Sequence, residues 1–147
     1  MGLEVSPIRA LNYQILRSTY EVLDLDKPGA GLDELNFQYD TGEFILQDDG
    51  AERLDAKLDV RVTPSAEDPS GYKLNIAVRG IFVSAYMEEG GSRDDFEMFM
   101  KLNAFTLLYS FVRSHVQILT SMSPSGQICL PCIDAGSVVS MLTEAPS

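Results

Sequence analysis

Apolar and polar positions divide the chain into a sheet-forming first part and a helical last part. From Asn12 to Leu25, Tyr, Ile, Thr and Val recur in partial alternation, which predicts a first strand over 12–25 after a loose lead-in at 1–10. The run Asp26-Lys27-Pro28-Gly29-Ala30-Gly31 predicts a connection over 26–34. Leu35-Asn36-Phe37-Gln38-Tyr39-Asp40 alternates without interruption, so three large apolar side chains share one face and three polar ones the other. Thr41-Gly42-Glu43 bends this strand before Phe44-Ile45-Leu46, and Asp48-Asp49-Gly50 is a turn. Over 53–63, Leu54, Lys57, Asp59 and Arg61 alternate against Ala56, Leu58, Val60 and Val62, a strand with one wet face. Pro64 to Gly71 has the length of a hairpin loop. Tyr72 to Ala85 alternates with Leu74, Ile76 and Val78 inward, then becomes continuous at Ile81-Phe82-Val83.

The period changes after Ser92. Between Asp94 and Met122, Phe96, Phe99, Leu102, Phe105, Leu108, Val112, Val116, Leu119 and Met122 follow steps of three and four, the spacing of one helical face. Met98, Leu107, Phe111 and Ile118 widen that stripe beyond the needs of one sheet, so the helix is expected to meet a second subunit as well. Ser92, Asp94 and Asp95 suit its amino end, where unpaired amides and the positive dipole end favour capping oxygens and negative charge. Ser123-Pro124-Ser125-Gly126 closes it, and Asn103 marks a point where it would break most easily. Ile128 to Ile133 reads as extended, with Asp134 capping a short helix over 135–144 whose apolar side is Val138, Val139, Met141 and Leu142. Four strands with short antiparallel connections followed by helices give an α+β class: a four-stranded antiparallel sheet packed with one long helix and a short C-terminal one.

At 147 residues the chain suits a single domain, 1–147, with room for a real core. Eleven Lys and Arg against 22 Asp and Glu give a net charge of −11, which argues against nucleic acid as a partner. No apolar run approaches the ~20 residues that span a bilayer, and MGLEVSPIRAL lacks a basic start followed by an apolar core, so a cytoplasmic chain without membrane insertion is expected.

Candidate chemistry is sparse. Cys129-Leu130-Pro131-Cys132 is a CxxC, but only 15 residues follow it and no strand-helix unit carries it, so two small buried thiols are expected rather than a redox pair. Zinc would need two more ligands, and the other soft donor, His115, falls inside the long helix as an ordinary contact residue. Neither Gly29-Ala30-Gly31 nor Gly90-Gly91 leads into the Lys-Ser/Thr of a phosphate loop. Asp48-Asp49 and Asp94-Asp95 belong to a turn and a helix cap. No catalytic constellation, metal or cofactor is expected, and the chain is read as a non-enzyme. What remains is a surplus of large apolar groups: Leu35, Phe37 and Tyr39 beside a long loop, and Val138, Met141 and Leu142 on the last helix. Spacing alone assigns them to the core, while methionine and aromatic surfaces also suit a peptide groove.

The order of these elements resembles the SecB family of export chaperones. Gly80-Ile81-Phe82 is similar to the family's Gly-Ile-Phe at the end of its last strand, and Leu107-Leu108-Tyr109-Ser110-Phe111-Val112-Arg113 to its Leu-Phe-Pro-Tyr-Ala-Arg. Ile128-Cys129-Leu130-Pro131-Cys132-Ile133-Asp134 is similar, with a small gap, to Leu-Asn-Leu-Ala-Pro-Val-Asn-Phe-Asp. Glu34-Leu35-Asn36-Phe37-Gln38-Tyr39-Asp40-Thr41 follows the pattern Glu-Val-Lys-Leu-Asp-Leu-Asp-Thr. Together the matches cover about residues 14 to 142.

The resemblance implies an ATP-independent holdase for unfolded or precursor polypeptides, with clients in grooves between the 26–34 loop, the second strand and the last helix. Leu35, Phe37, Tyr39, Val138, Met141 and Leu142 would line the groove. It also implies a homo-oligomeric dimer of dimers joined through the long helix, with Tyr109, Phe111, Val112, Val116 and Leu119 at the interface. Departures from the family pattern bear on docking to a SecA-type translocase motor. Val22, Asp26 and Asn75 fall where the family is acidic, so only Asp26 is retained as a contact, and Lys73 replaces a neutral residue. Ser110 and Ser114 replace a helix proline and a glutamate, and almost no tail follows the last helix. General export, a chaperone dedicated to one client such as an antitoxin, and a non-chaperone oligomeric scaffold are the readings that follow.

Overall fold

The computed structural model describes residues 8–24, 33–64, 71–85, 92–124 and 126–144. Its elements are β1 (Arg9–Val22), β2 (Asp33–Thr41), β3 (Ile45–Leu46), β4 (Ala51–Pro64), β5 (Tyr72–Ala85), α1 (Arg93–Leu119) and α2 (Ala135–Glu144). The class is α+β, as expected: one antiparallel sheet, one long helix and one short helix. Strand order is β1-β5-β4-β2, and the two-residue β3 pairs with β4 beyond the end of β2. The bend expected at Thr41 to Glu43 is therefore a break that splits one predicted strand into two. The β3-β4 hairpin turns at Gly50, whose φ of 86° lies in the left-handed region, and Asp49 accepts the Ala51 amide.

Even-numbered residues of β4 and β5 face inward. Leu54, Leu58, Val60, Ile76, Val78 and Phe82 are fully buried, and the charged side chains of both strands lie at odd positions except for the buried Glu52. Leu54 was expected on the wet face of β4, yet it continues the row of Ala56, Leu58, Val60 and Val62. The β1 strand begins at Arg9, earlier than predicted, and Ile8 is already in the core. Register shifts between Ala10 and Asn12 and between Ile15 and Arg17 leave Leu11 and Leu16 as bulged, exposed residues.

The helix α1 starts with a capping box: the Ser92 side chain accepts the Asp95 amide while the Asp95 carboxylate accepts the Ser92 amide. It runs unbroken through Asn103, whose side chain donates to the Phe99 carbonyl. It ends at Leu119 rather than near Met122, because the Thr120 hydroxyl donates to the Val116 carbonyl and accepts the Ile128 amide at 2.8 Å. Both roles of this fully buried hydroxyl are thus filled.

The buried face of α1 departs from the predicted stripe. Phe96, Met100, Ala104, Leu108, Val112, Val116 and Thr120 form a row at steps of four, joined by Phe105 and Tyr109. Such a row is inclined to the helix axis, so the helix crosses the strands diagonally. Its amino end meets β3 and β4 through Phe44 on Phe96 and the ion pair of Arg93 with buried Glu52. Its carboxyl end meets β1, where Tyr13 stacks on Phe111 at 5.0 Å and Ser18 bonds His115 at 2.8 Å. Phe99 and Met122, expected on the stripe facing the sheet, are exposed for this reason, as is Leu119, which was also expected at a subunit interface.

At the crossing point, β5 presents Gly80. A Cβ there would lie 2.7 Å from the Phe82 ring and 2.9 Å from Leu108 Cδ2, closer than carbon atoms pack. Gly80→Ala is expected to lift α1 from the sheet and lower stability by about 1–3 kcal/mol, the usual scale of overpacking, in urea unfolding. An unchanged midpoint would show that the helix does not press on this position.

Candidate functional site

The residues expected to line a client groove come from two distant parts of the chain, and both sets pack on the one core beneath α1. Register pairs Leu35, Phe37 and Tyr39 of β2 with Val62, Val60 and Leu58 of β4, so all three point inward. They are half-buried, because β2 is an edge strand and α1 covers them from one side only. Phe37 packs edge-on against Phe105 and Tyr109, with ring centroids 6.2 and 5.6 Å away. Tyr39 meets Phe105 edge-on at 5.2 Å and donates its hydroxyl to the Lys101 carbonyl at 2.7 Å. Burial pushes the Tyr39 phenol well above its ordinary range, so it remains a protonated donor.

Residues 126–133 return along α1 toward its middle. Arg113 donates to the Leu130 carbonyl at 3.2 Å, and the Tyr109 hydroxyl donates to that of Pro131. Ile128 and Leu130 are buried, and α2 follows with Val138 in the core and Met141 and Leu142 half-buried against it. Asp134 opens α2 by accepting the Ser137 amide. All six expected groove residues therefore pack on the same core cluster as Phe105 and Tyr109. Five of them keep partial exposure, and Val138 is buried. Asp26 and the expected loop up to residue 32 lie outside the described residues.

The expected interface residues divide differently. Tyr109, Val112 and Val116 are buried in the chain's own core, since the diagonal crossing turns them toward the sheet. Phe111 is half-buried against Tyr13, and Leu119 is exposed. Leu107, Phe99 and the 73% exposed Ile118 complete an outward apolar side that the interface reading did not include, although the helical widening of the stripe had pointed to Leu107 and Ile118.

Other expectations are corrected. Cys129 and Cys132 are exposed free thiols rather than buried ones, because Leu130 takes the inward position of that extended segment. Among the described residues no group of three or more His, Cys, Asp or Glu side chains is placed to hold a metal. His115, expected as an ordinary contact residue of the helix, bonds Ser18 on β1, a partner that spacing could not align with it. The two tie β1 to α1. Val22 pairs with Tyr72 and belongs to the inward side, whereas Lys73 and Asn75 face outward, so the expected motor-docking positions do not share one surface. An open cleft of about 470 Å³ at the β2-β3 break is lined by Phe44, Arg93, Glu97 and Lys101. Arg93 spans Glu52 and Glu97 beside the rings of Phe44 and Phe96, an arrangement that fixes the start of α1. No described helix is long and apolar enough to cross a membrane.

Tyr39→Phe keeps the ring contact and removes one hydrogen bond. It is expected to lower stability by about 0.5–1.5 kcal/mol in denaturant unfolding, while a loss near zero would mean water replaces the phenol at Lys101.

No known protein family and no curated protein matches the sequence. Among solved structures, a SecB-like chaperone from Mycobacterium tuberculosis, in complex with a peptide from an antitoxin, aligns with 86% of this chain and 91% of its own at 13% identity and a TM-score of 0.48. A protein of unknown function from Streptococcus agalactiae aligns with 85% of this chain and 97% of its own at 10% identity and the same TM-score.

Proposed function

We propose that this protein is a SecB-like, ATP-independent holdase that takes extended apolar polypeptide segments alongside β2. The observation that carries this reading is the row Leu35, Phe37 and Tyr39, half-buried on a strand that pairs on one side only among the described residues. A client laid along that edge gains backbone hydrogen bonds from β2, and its alternate side chains reach the apolar row and the half-buried Met141 and Leu142 of α2. Burial of apolar area at about 25 cal/mol per Å² supplies affinity without a fixed sequence. The resemblance of Glu34–Thr41, Gly80–Phe82, Leu107–Arg113 and Ile128–Asp134 to segments of the SecB family supports the same reading.

The assembly proposed with it is a dimer of dimers through α1. Leu107, Ile118 and Leu119 form the outward apolar side of that helix, and β1 runs beside its last turns with Ile15 exposed between the Tyr13 and Ser18 contacts. A chaperone dedicated to one client, such as an antitoxin, is the second reading. It is favoured over general export by the outward Lys73 and Asn75 and the inward Val22, which leave Asp26 as the one acid retained among the expected motor-docking positions.

The holdase reading is tested by diluting a chemically unfolded, aggregation-prone protein into buffer without ATP and following light scattering. Suppression is expected at about one oligomer per client, and Met141→Asp with Leu142→Asp is expected to abolish it while circular dichroism shows the fold intact. Equal suppression by the variant would place the groove elsewhere. Suppression absent from the natural sequence, with tight capture of a single client encoded beside it, would favour the dedicated chaperone.

Because Ile118 is exposed, Ile118→Asp is expected to leave the fold in place and shift the assembly toward the 16.2 kDa protomer in sedimentation velocity. If the mass does not change, α1 is not the joining surface.

A further inference from the structure

The outward face of the sheet reverses the sign of the chain. Over the middle of that face the register aligns Arg17 on β1, Lys73 and Arg79 on β5, and Arg53, Lys57 and Arg61 on β4. Glu21, Glu34, Asp40, Asp55 and Asp59 are the acidic positions of that face. With Arg9 at the end of the face, across Val83 from Arg53, seven of the chain's eleven cationic positions share one face with five of its 22 carboxylate positions, while the whole chain carries −11.

The pairing on this face leaves charge unspent. Asp59 lies between Arg17 at 3.6 Å and Arg61 at 3.4 Å, and Asp55 between Arg53 at 2.9 Å and Arg79 at 2.7 Å, so each carboxylate balances one of two cations. Lys73 is balanced by Glu21 at 3.3 Å. Lys57 sits across from Asp40 in register and makes no ion pair among the described residues. Hydrogen bonding from Arg53, with added bonding and charge from Arg79, holds the Asp55 carboxyl below its usual range, so this network stays ionised.

The surface between these groups is hollowed in two places. One hollow, of about 240 Å³, has Lys57 and Arg79 on its walls together with Asp40 and Asp55, the latter shared with Arg53, and the other, of about 290 Å³, has Arg61 and Lys73 together with Glu21. Lys57 and Arg61 are four residues apart on β4, roughly 13 Å at about 3.3 Å per strand residue. An extended peptide with acidic side chains four residues apart has the same repeat.

We infer that this face is a docking surface for an extended acidic polypeptide segment, one carboxylate seated between Lys57 and Arg79 and another between Arg61 and Lys73. The surface lies on the opposite side of the sheet from the proposed client groove and does not depend on it. A continuous polyanion such as single-stranded nucleic acid meets the repulsion of the whole chain, whereas a short segment with neutral residues between two acids engages the face alone.

The test uses fluorescence anisotropy with labelled twelve-residue peptides in which every fourth residue is glutamate or lysine in a Gly-Ser-Thr background, and a labelled oligothymidylate of equal length. The glutamate peptide is expected to bind in low-salt buffer and to weaken tenfold or more at about 0.5 M salt, where the screening length falls to a few ångströms. Lys57→Glu is expected to reduce its affinity tenfold or more, and Lys73→Glu to do the same from the second hollow. Both side chains are exposed, and thermal melts confirm that the variants remain folded. The inference is overturned if the lysine peptide binds as tightly as the glutamate peptide, if neither substitution weakens binding, or if the oligothymidylate binds more tightly and loses that binding in Lys57→Glu.

Discussion

The close seat of α1 on the sheet at Gly80 is the constraint on which the remaining positions depend. With no side chain at Gly80, Leu108 descends onto β5 beside Phe82, and the four-residue row from Phe96 to Thr120 lies flat across β4 and β5. Each large side chain fully removed from water along this row is worth about 1.5–3 kcal/mol, so the crossing is dictated by hydrophobic burial more than by any polar tie. The polar ties act at the ends. Arg93 on Glu52 fixes the start of the helix, and Ser18 on His115 with Tyr20 on Ser123 fixes the finish. Between them the angle of the helix decides which strands remain half-covered, and β2 is one of these.

Much of the fold was legible because strands in a two-layer protein report their burial directly. The alternation of Leu35 to Asp40, and of most of β4 and β5, gave the inward faces. Ser92 and Asp95 gave the helix start because a capping box is a local device. The helix face was harder to read, since a stripe at steps of three and four and a row at steps of four share Phe96, Leu108, Val112 and Val116 but differ on Phe99, Met100 and Leu119. Only the crossing angle, a property of the packed pair, separates them. The end of α1 was missed because it depends on Thr120 meeting Ile128. The exposure of both cysteines was missed because their extended segment follows α1 rather than the sheet.

Net charge was the least instructive sequence property. A value of −11 describes an average over surfaces that differ in sign. Cations at odd positions of β4 and β5 look like ordinary strand solubility when read along one strand. Across the register, Arg17, Asp59 and Arg61 become one cluster and Arg53, Asp55 and Arg79 another. The two sides of the sheet thus have different chemistry, one apolar and covered by α1, the other ionic. The six expected groove residues were identifiable as a set, but the contacts of Phe37 and Tyr39 with Phe105 and Tyr109 appear only after folding.

The two outer strands are not equivalent. The β1 ladder shifts register twice, at Leu11 and Leu16, whereas β2 pairs with β4 from Asp33 to Thr41 without a shift. Endless sheet growth requires a regular edge on both sides of each subunit, because every added copy must offer the next one a template. A bulged β1 withholds one of the two. Edge-to-edge growth through the regular β2 margin is thereby disfavoured by two inserted residues on a different strand.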